Sequence, residues 1–262
     1  MKFIDIHGHY AWNVDDGIPN KEDAYTALKM AKENGIVGIV ATPHLVCGKH
    51  DKEHMKMLKS RINDLSELAK EFDISVFQGC ELFLNDECYE QLDQDLVIPF
   101  ENTKYLLCEF DVRKKSHSQE EFEDRLYEVD IKGYTPIVAH VERYFKKAID
   151  IDRVAELVDN GYVIQVNSTS ILGLQGKTCQ ENVYALLKNN LVHCIASDTH
   201  TVEGSRCPNL KKTYELLAKD FSKEDLNKLF YTNPLAILKN EEVEKTQYVK
   251  KGFFNKLLKR RS

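Results

Sequence analysis

Imidazole and carboxylate side chains recur in this 262-residue chain directly after short apolar runs, and both groups are ligands for divalent metals. The segment Asp5-Ile6-His7-Gly8-His9 follows Phe3-Ile4, so it stands at the end of a predicted strand. Histidines at i and i+2 share one face of an extended chain, because strand side chains alternate. Asp198 and His200 repeat that spacing after Cys194-Ile195-Ala196. The pattern predicts a multinuclear metalloenzyme.

Further candidate ligands end other apolar runs; they are His44, Glu81, Glu109 and His140. Asp16 lies in the loop after the first strand, where its neighbour Asp15 is a competing candidate. Taken singly, a histidine at a strand end usually makes a structural hydrogen bond, and an aspartate at a turn usually caps a helix. The joint recurrence of these residues favours a shared metal site over separate structural roles.

Apolar runs alternate with longer amphipathic segments, which is typical of α/β proteins. Strands are predicted at residues 3–7, 36–42, 74–80, 105–110, 135–140, 162–167 and 192–197. Helices are predicted at residues 20–34, 51–72, 118–132, 150–160, 178–190 and 208–220. Asn20 and Ser118 are the expected N-caps, and Gly35, Gly133 and Gly161 stand where helices should end.

Seven strand–helix units predict a single-domain, distorted (β/α)7 barrel of the TIM type over residues 1–240, with a doubly wound sheet as the alternative. Residues 241–262 are predicted to form a separate basic tail. Active sites of such barrels lie at the carboxyl ends of the strands. Every candidate ligand falls at such an end, so the barrel would bring residues that are distant in sequence into one site.

Charge and cysteine content narrow the function classes. The net charge of −6 includes seven basic and no acidic residues from Lys245 to Ser262, so the rest of the chain carries about −13. An acidic body disfavours nucleic-acid binding, which requires basic patches. The seven cysteines are odd in number and form no C-x-x-C pair, which favours free thiols in a reducing cytosol.

The sequence indicates a soluble, cytoplasmic protein, because it shows neither a signal peptide nor a run of about 18 apolar residues. The tail from Val249 to Leu258 mixes Phe253 and Phe254 with leucines and lysines. Two interpretations stay open for it. One is a basic amphipathic helix in peripheral contact with the inner face of the membrane, and the other is a solvated terminus.

Several motifs resemble those of the polymerase and histidinol phosphatase (PHP) superfamily. They are Asp-x-His-x-His at the start, Thr42-Pro43-His44, Gly79-Cys80-Glu81, Cys108-Glu109-Phe110, residues 139–143 and residues 196–200. Within the superfamily, residues 14–17, residues 140–144 and Ser197-Asp198-x-His200 with Ser205-Arg206 are similar to bacterial protein-tyrosine phosphatases that regulate capsule and exopolysaccharide synthesis. The likeness runs from residue 1 to about residue 240 and excludes the tail.

The resemblance implies a distorted (β/α)7 barrel that holds three divalent metal ions, Mn²⁺ ahead of Fe or Zn. Carried over by position, one ion would be held by His7, His9, Glu81 and Asp198. A second would be held by Glu81, Glu109 and His140, with Glu81 bridging. A third would be held by Asp16, His44 and His200.

The resemblance also implies catalytic residues and a substrate. Phosphate-binding arginines of the family match Arg143 and Arg206, and His200 is assigned to catalysis as well as to the third ion. The alternatives are an ion pair of Arg143 with Glu142 and a solvated loop position for Arg206. The implied substrate is the phosphotyrosine tail of a bacterial tyrosine kinase that controls polysaccharide synthesis.

The residues by themselves favour phosphomonoester hydrolysis by a metal-activated hydroxide. Mixed imidazole and carboxylate ligation leaves open positions for water and phosphate. A thiol-based phosphatase needs an arginine six positions after its cysteine, and the nearest approach here is Cys108 with Lys114. The segment Gly176-Lys177-Thr178 is not a P-loop, because Ile171 stands where the loop's first glycine is required.

Three other functions stay open at this stage. They are a small-molecule phosphatase such as a histidinol phosphatase, a metal-dependent nuclease, and a regulatory binding module on an inactive barrel. The acidic body disfavours the nuclease, and the complete set of candidate ligands disfavours the inactive module.

Overall fold

The computed structural model describes residues 1–114 and 117–246. Its strands are β1 (Phe3–Gly8), β2 (Ile36–Ala41), β3 (His44–Val46), β4 (Ser75–Gln78), β5 (Glu81–Phe83), β6 (Tyr105–Glu109), β7 (Thr135–Val138), β8 (Val163–Asn167) and β9 (Cys194–Ala196). Its α-helices are α1 (Lys21–Glu33), α2 (Lys52–Ala69), α3 (Cys88–Asp93), α4 (Gln119–Ile131), α5 (Ile151–Asp159), α6 (Ser168–Ile171), α7 (Lys177–Lys188), α8 (Leu210–Leu217), α9 (Lys223–Asn227) and α10 (Asn233–Leu238).

The strands form a closed parallel barrel. The ladders run β1-β2-β4 and β3-β5-β6-β7-β8-β9, and neighbouring strands in both are parallel. A bridge between Gly8 and Thr199 joins the end of β9 to β1, and the Asp198 N–H donates to the His7 carbonyl at 2.9 Å. This closure confirms the predicted barrel and excludes the open, doubly wound sheet.

The barrel is distorted because two of the seven predicted strands are each interrupted and form two shorter strands. The strand predicted at 36–42 is β2 and β3 with Thr42-Pro43 between them, and the one predicted at 74–80 is β4 and β5 with Gly79-Cys80 between them. Pro43 has no N–H for a ladder hydrogen bond. The first halves, β2 and β4, pair with each other, and β2 also pairs with β1; the second halves, β3 and β5, pair with each other, and β5 also pairs with β6. The breaks place His44 and Glu81 at the first positions of the second halves.

The local signals in the sequence act as predicted at the helix ends. The Asn20 side chain accepts a hydrogen bond from the Asp23 N–H, and Ser118 forms a capping box with Glu121. Gly35, Gly133 and Gly161 follow their helices with φ between +82° and +88°. Short helices such as α3 and α6 were not predicted, because four to six residues do not establish a helical period.

Two hydrophobic clusters fill the molecule. The larger one packs the helices onto the outside of the barrel. The smaller one draws on alternate strand positions, among them Ile4 with Ile6 and Tyr105 with Leu107, and it includes Ile237 of α10. Alternation of this kind identifies the inward-facing positions of a barrel, so α10 closes the amino-terminal end of the barrel interior.

The chain after α10 crosses the amino-terminal end of the barrel. The Tyr105 hydroxyl donates to the Glu241 carbonyl at 2.7 Å, and Asn233 exchanges hydrogen bonds with Glu244. Lys245 lies 3.4 Å from Asp159, and Thr246 is buried. The predicted amphipathic segment of the tail lies outside the described residues. Within the described part of the chain, no helix is long and apolar enough to span a bilayer.

His193, which precedes β9 at this same end, should make the protein less stable in mild acid. Its Nδ1 accepts the Ile164 N–H at 3.0 Å, so the folded state holds a neutral ring. Burial, assisted by Lys245, lowers the pKa of His193 from 6.5 to about 4. Between pH 6.5 and pH 4, His193 is protonated in the unfolded chain and neutral in the folded chain. The contribution of His193 to stability is therefore complete above pH 6.5 and is lost as the pH falls towards 4.

The expected loss is about 2–3 kcal/mol over that interval. It is measured by urea unfolding at several pH values, with His193→Asn as the comparison because asparagine retains an acceptor near the Ile164 N–H. The stability of the wild type should fall towards that of the variant as the pH drops from 6.5 to 4. Parallel curves for the two proteins would show that His193 does not titrate in this way.

Candidate metal centre

The nine candidate ligands converge at the carboxyl end of the barrel. The parallel ladder makes this inevitable for residues at strand ends, since all such ends meet at one mouth. His7 lies near the end of β1, and His9 directly follows that strand. His44 and Glu81 begin β3 and β5, Glu109 ends β6, and His140 lies shortly after β7. Asp198 and His200 follow β9, and Asp16 reaches the mouth from the loop after β1.

Glu81 lies at the centre of this cluster. It is almost fully buried, and its carboxylate oxygens lie 3.0–3.2 Å from imidazole nitrogens of four histidines. Those histidines are His7, His9, His44 and His140. Both oxygens of Glu81 are thus surrounded by candidate ligands from different strands, and the bridging role that the resemblance implies for Glu81 stays a prediction.

The remaining carboxylates surround that centre. Asp198 Oδ1 lies 3.2–3.6 Å from nitrogens of His7, His9 and His200. Glu109 lies 3.3 Å from His44 Nδ1, and Asp16 lies 3.3 Å from His44 Nε2. His44 therefore contacts carboxylates of both the second and the third predicted ion. The division of the ligands among individual ions stays a prediction.

Three of the histidines are oriented by hydrogen bonds at Nδ1. His7 Nδ1 bonds to Gln165 Oε1 at 3.1 Å, His9 Nδ1 to Asp15 Oδ2 at 2.7 Å, and His200 Nδ1 to the Asp198 carbonyl at 3.0 Å. Partners of this kind fix the tautomer and leave Nε2 as the ligand atom. The Nε2 atoms of His7 and His9 lie 3.4 Å apart.

Asp15 and Asp16, the two candidates from the loop after β1, have different positions and different hydrogen-bond partners. Asp16 is exposed at the mouth, whereas Asp15 lies behind His9 and also accepts the N–H groups of His44 and Gly17. A Cβ on Gly17 would lie 2.4 Å from the His9 Cβ, so only glycine lets the loop close this tightly over the histidine. Asp15 thus orients the His9 ring and holds the backbone at His44.

Strand β8 carries two orienting residues that the sequence did not single out. Gln165 contacts His7 and accepts the His140 N–H at 3.0 Å, while its amide donates to Asn167 Oδ1. Asn167 in turn donates to Asp198 Oδ2 at 2.7 Å. One feature of the sequence could have indicated these two residues. The predicted strand at 162–167 has no candidate ligand at its end, yet it carries polar residues at alternate positions.

Backbone geometry marks the same mouth. His140 and Asp198 adopt φ values of +33° and +53°, a left-handed conformation that is uncommon for residues with a side chain. Such conformations persist where the surroundings enforce them, and they cluster at functional sites. At His140 and Asp198 these conformations turn the chain sharply just after β7 and β9, where the two candidate ligands lie beyond the last strand residues.

Both predicted arginines converge on Asp198. Arg206 Nη2 lies 3.0 and 3.2 Å from the two Asp198 oxygens and 2.8 Å from His200 Nε2. Arg143 Nη1 lies 3.5 Å from Asp198 Oδ2. Glu142, the alternative partner of Arg143, instead accepts the Asn167 N–H. The structure therefore places both guanidinium groups at the mouth.

The electrostatics of the mouth keep the carboxylates of Glu81 and Asp198 ionised. Burial would raise the pKa of Glu81, but His7 and His44 lower it well below its usual value. Asp198 is likewise lowered against burial, by His7, His200 and Arg206. Burial disfavours a charged His44, yet Glu81 and Asp16 raise its pKa to about 12. Burial, with His9 and Arg206, lowers the pKa of His200 to about 3.

The donor set fits divalent cations. Four carboxylates lie among five imidazoles at a largely buried site, and uncompensated buried charge is costly. The buried Nδ1 of His140 has no hydrogen-bond partner among the described residues. Nitrogen and oxygen donors without thiolate suit Mn, Fe or Zn in an open site rather than a closed structural zinc site. Groups of three or more potential ligands within the described ranges all fall at this mouth.

The cysteines play no part in the cluster. Burial raises the pKa of the Cys80 thiol to about 12 and that of Cys108 well above its usual value. A protonated, buried thiol is a poor nucleophile. The structure thus agrees with the sequence argument against a cysteine-based phosphatase.

The family model described as capsular polysaccharide synthesis, CpsB/CapC, matches residues 3–239. The chain is 32% identical over 246 residues to tyrosine-protein phosphatase CpsB of Streptococcus agalactiae serotype III (strain NEM316), covering 92% of this chain and all of that protein. It is 30% identical over 258 residues to tyrosine-protein phosphatase YwqE of Bacillus subtilis (strain 168), covering 96% and 100%.

A solved structure shows the same architecture. A chain from the crystal structures of YwqE from Bacillus subtilis and CpsB from Streptococcus pneumoniae superposes with a TM-score of 0.81 at 28% identity, covering 95% of this chain and all of that chain. Those proteins are described as unique metal-dependent tyrosine phosphatases.

Proposed function

Because this chain belongs to the CpsB/CapC family, we propose that it is a metal-dependent protein-tyrosine phosphatase of capsular or extracellular polysaccharide synthesis. The observation that carries the proposal is the single mouth at which nine potential metal ligands surround Glu81, with Arg143 and Arg206 beside them. The named relatives are tyrosine phosphatases, and metal dependence is stated for the solved ones.

The proposed cofactor is a set of three divalent ions, with Mn²⁺ as the first candidate. His7, His9, Glu81 and Asp198 would hold one ion. Glu81, Glu109 and His140 would hold a second, and Asp16, His44 and His200 a third. When bound, such ions supply a nucleophilic water of low pKa and positive charge for the phosphoryl oxygens.

The chain's own groups would position the phosphate. Arg143 and Arg206 flank Asp198 and present N–H groups that match phosphate oxygens in pairs. His200, whose ring is held by the Asp198 carbonyl, is proposed to serve both as a ligand and in catalysis. A tyrosine leaving group has a pKa near 10, so it departs as phenolate with little need of a general acid.

The proposed substrate is the phosphotyrosine-bearing tail of a bacterial tyrosine kinase. The test compares phosphate release from a phosphotyrosine peptide, its phosphoserine counterpart and histidinol phosphate, using protein loaded with Mn²⁺, Fe²⁺ or Zn²⁺. Hydrolysis should favour the phosphotyrosine peptide, stop with excess chelator and return with added metal. Undiminished turnover in chelator, or a higher kcat/KM for histidinol phosphate, would overturn the proposal.

The basic tail is proposed to place the enzyme in the cytoplasm at the inner face of the membrane. Its support is the excess of seven basic residues after Glu244 and the end of the described chain at the amino-terminal side of the barrel, opposite the mouth. Attachment on that side would leave the mouth open to a kinase tail. Removal of residues 247–262 spares the packed Thr246 and should abolish sedimentation with anionic vesicles. Equal sedimentation of the full and shortened chains would contradict membrane contact.

A further inference from the structure

Apolar side chains form a second layer directly above the candidate ligands. Val46 follows His44 by two positions on β3, and Phe83 follows Glu81 by two positions on β5. Positions i and i+2 share a face of a strand. The ladder pairs His44 with Glu81 and Val46 with Phe83. A polar row at the floor is therefore followed by an apolar row one step nearer to the solvent.

Two loops complete this layer. Val14 precedes Asp15 and Asp16 in the loop after β1, and Val112 follows Glu109 by three positions after β6. Val14, Val46, Phe83 and Val112, here called the apolar collar, are all half-buried. They line one cavity of about 460 Å³, which is also lined by Asp15, Asp16, His44 and Glu109 and by the polar side chains of His50, Asp111 and Arg113. The collar and the metal centre thus share one entrance.

Half-buried apolar groups at such an entrance indicate the shape of the ligand. Scattered exposed apolar residues are ordinary, but four that converge on one cavity with a charged floor form a binding site of small-ligand size. A flat ring held between aliphatic and aromatic side chains gains from leaving water, while the charged end of the ligand reaches the polar floor. The site therefore fits an aryl group that carries a terminal anion.

The length of the side chain that carries the phosphate also distinguishes phosphotyrosine from phosphoserine at this site. In a phosphotyrosyl side chain the ring separates the phosphate from the peptide, so the ring occupies the collar when the phosphate is at the floor. In phosphoserine only one methylene and the ester oxygen separate them. The peptide backbone itself would then enter the apolar layer, where its N–H and C=O groups lose hydrogen bonds to water.

We infer that the apolar collar is the specificity-determining site for the aromatic ring of an aryl phosphate, with Phe83 and Val46 as its principal residues. This inference rests on the proposed phosphatase function and names the side chains that select its substrate. None of the four residues is assigned to the metal centre or to phosphate binding.

Two inhibitors that differ only in the ring test the collar without a chemical step. The Kd values of phenylphosphonate and methylphosphonate are measured by calorimetry on the Mn²⁺-loaded full chain. The wild type should bind phenylphosphonate about tenfold more tightly. Phe83→Ala and Val46→Ala should remove most of that preference while leaving methylphosphonate binding and metal content unchanged, and Phe83→Leu should restore part of it.

Val37→Ala is the matched control, because Val37 is also a half-buried valine on a barrel strand but lies near the other end of β2. An unchanged ratio in both collar variants, with melting temperatures showing that they are folded, would overturn the inference. The phosphotyrosine-peptide assay on the wild type separates the two proposals. If the wild type hydrolyses the peptide but the collar variants show no effect on inhibitor binding, only the inference about the collar is refuted. If the wild type does not hydrolyse the peptide, the proposed phosphatase function is refuted.

Discussion

Asp198→Ala is expected to lose bound metal and to lower kcat/KM by at least about 1,000-fold. Asp198 lies within 3.6 Å of nitrogens of His7, His9 and His200, so its carboxylate contributes to more than one part of the cluster. It also accepts hydrogen bonds from Asn167 and Arg206. Removal of this charge takes away a proposed ligand and leaves Asn167 and both arginines without this partner.

The measurement pairs metal content by mass spectrometry with kcat/KM on a phosphotyrosine peptide. Asp159→Ala is the matched control, because this exposed aspartate lies at the other end of the barrel and, among the described residues, forms an ion pair with Lys245 alone. The control should keep its metal and its rate. An inactive Asp198→Ala protein with a full metal complement would show that Asp198 acts in catalysis without being a ligand. An Asp198→Ala protein with full activity would show that the reaction does not take place at this mouth.

The sequence predicted the barrel and the convergence of the candidate ligands for one physical reason. Parallel strands direct their carboxyl ends to a single mouth, so residues such as His7, Glu109 and Asp198 need no sequence proximity to meet. Their proposed roles as ligands rest on chemistry that residue type alone indicates. The sequence shows at which strand end each candidate ligand lies, and the barrel brings those ends together.

The orienting residues could not be predicted in the same way. Gln165 contacts His7 across 158 positions of sequence, and no local spacing indicates that pair. Asp15 and Asp16 are chemically identical neighbours, and only the closure of the loop over His9 separates their roles. The breaks before His44 and Glu81 were hidden for a related reason. The apolar runs on both sides appear continuous, and the interruption depends on which neighbouring strand each half joins.

Arg206→Ala is expected to lower kcat/KM by about 100- to 1,000-fold, the effect of removing one preorganised charged donor, while the metal content stays unchanged. Arg206 Nη2 contacts Asp198 and His200, and about a third of the side chain is exposed to the mouth. Its backbone carbonyl accepts the N–H groups of His200 and Thr201, and these bonds survive substitution by alanine. The variant therefore removes the guanidinium without releasing the loop.

The measurement is kcat/KM together with the inhibition constant of inorganic phosphate, which should rise because a phosphate ligand has been lost. Arg206→Lys restores the charge but not the paired N–H geometry, so it should recover only part of the rate. Arg113→Ala is the control, since Arg113 lines the same entrance but is highly exposed and pairs with Asp111. Loss of metal from Arg206→Ala would instead mean that Arg206 supports the ligands through Asp198, because a group that acts only on phosphate has no reason to change metal affinity.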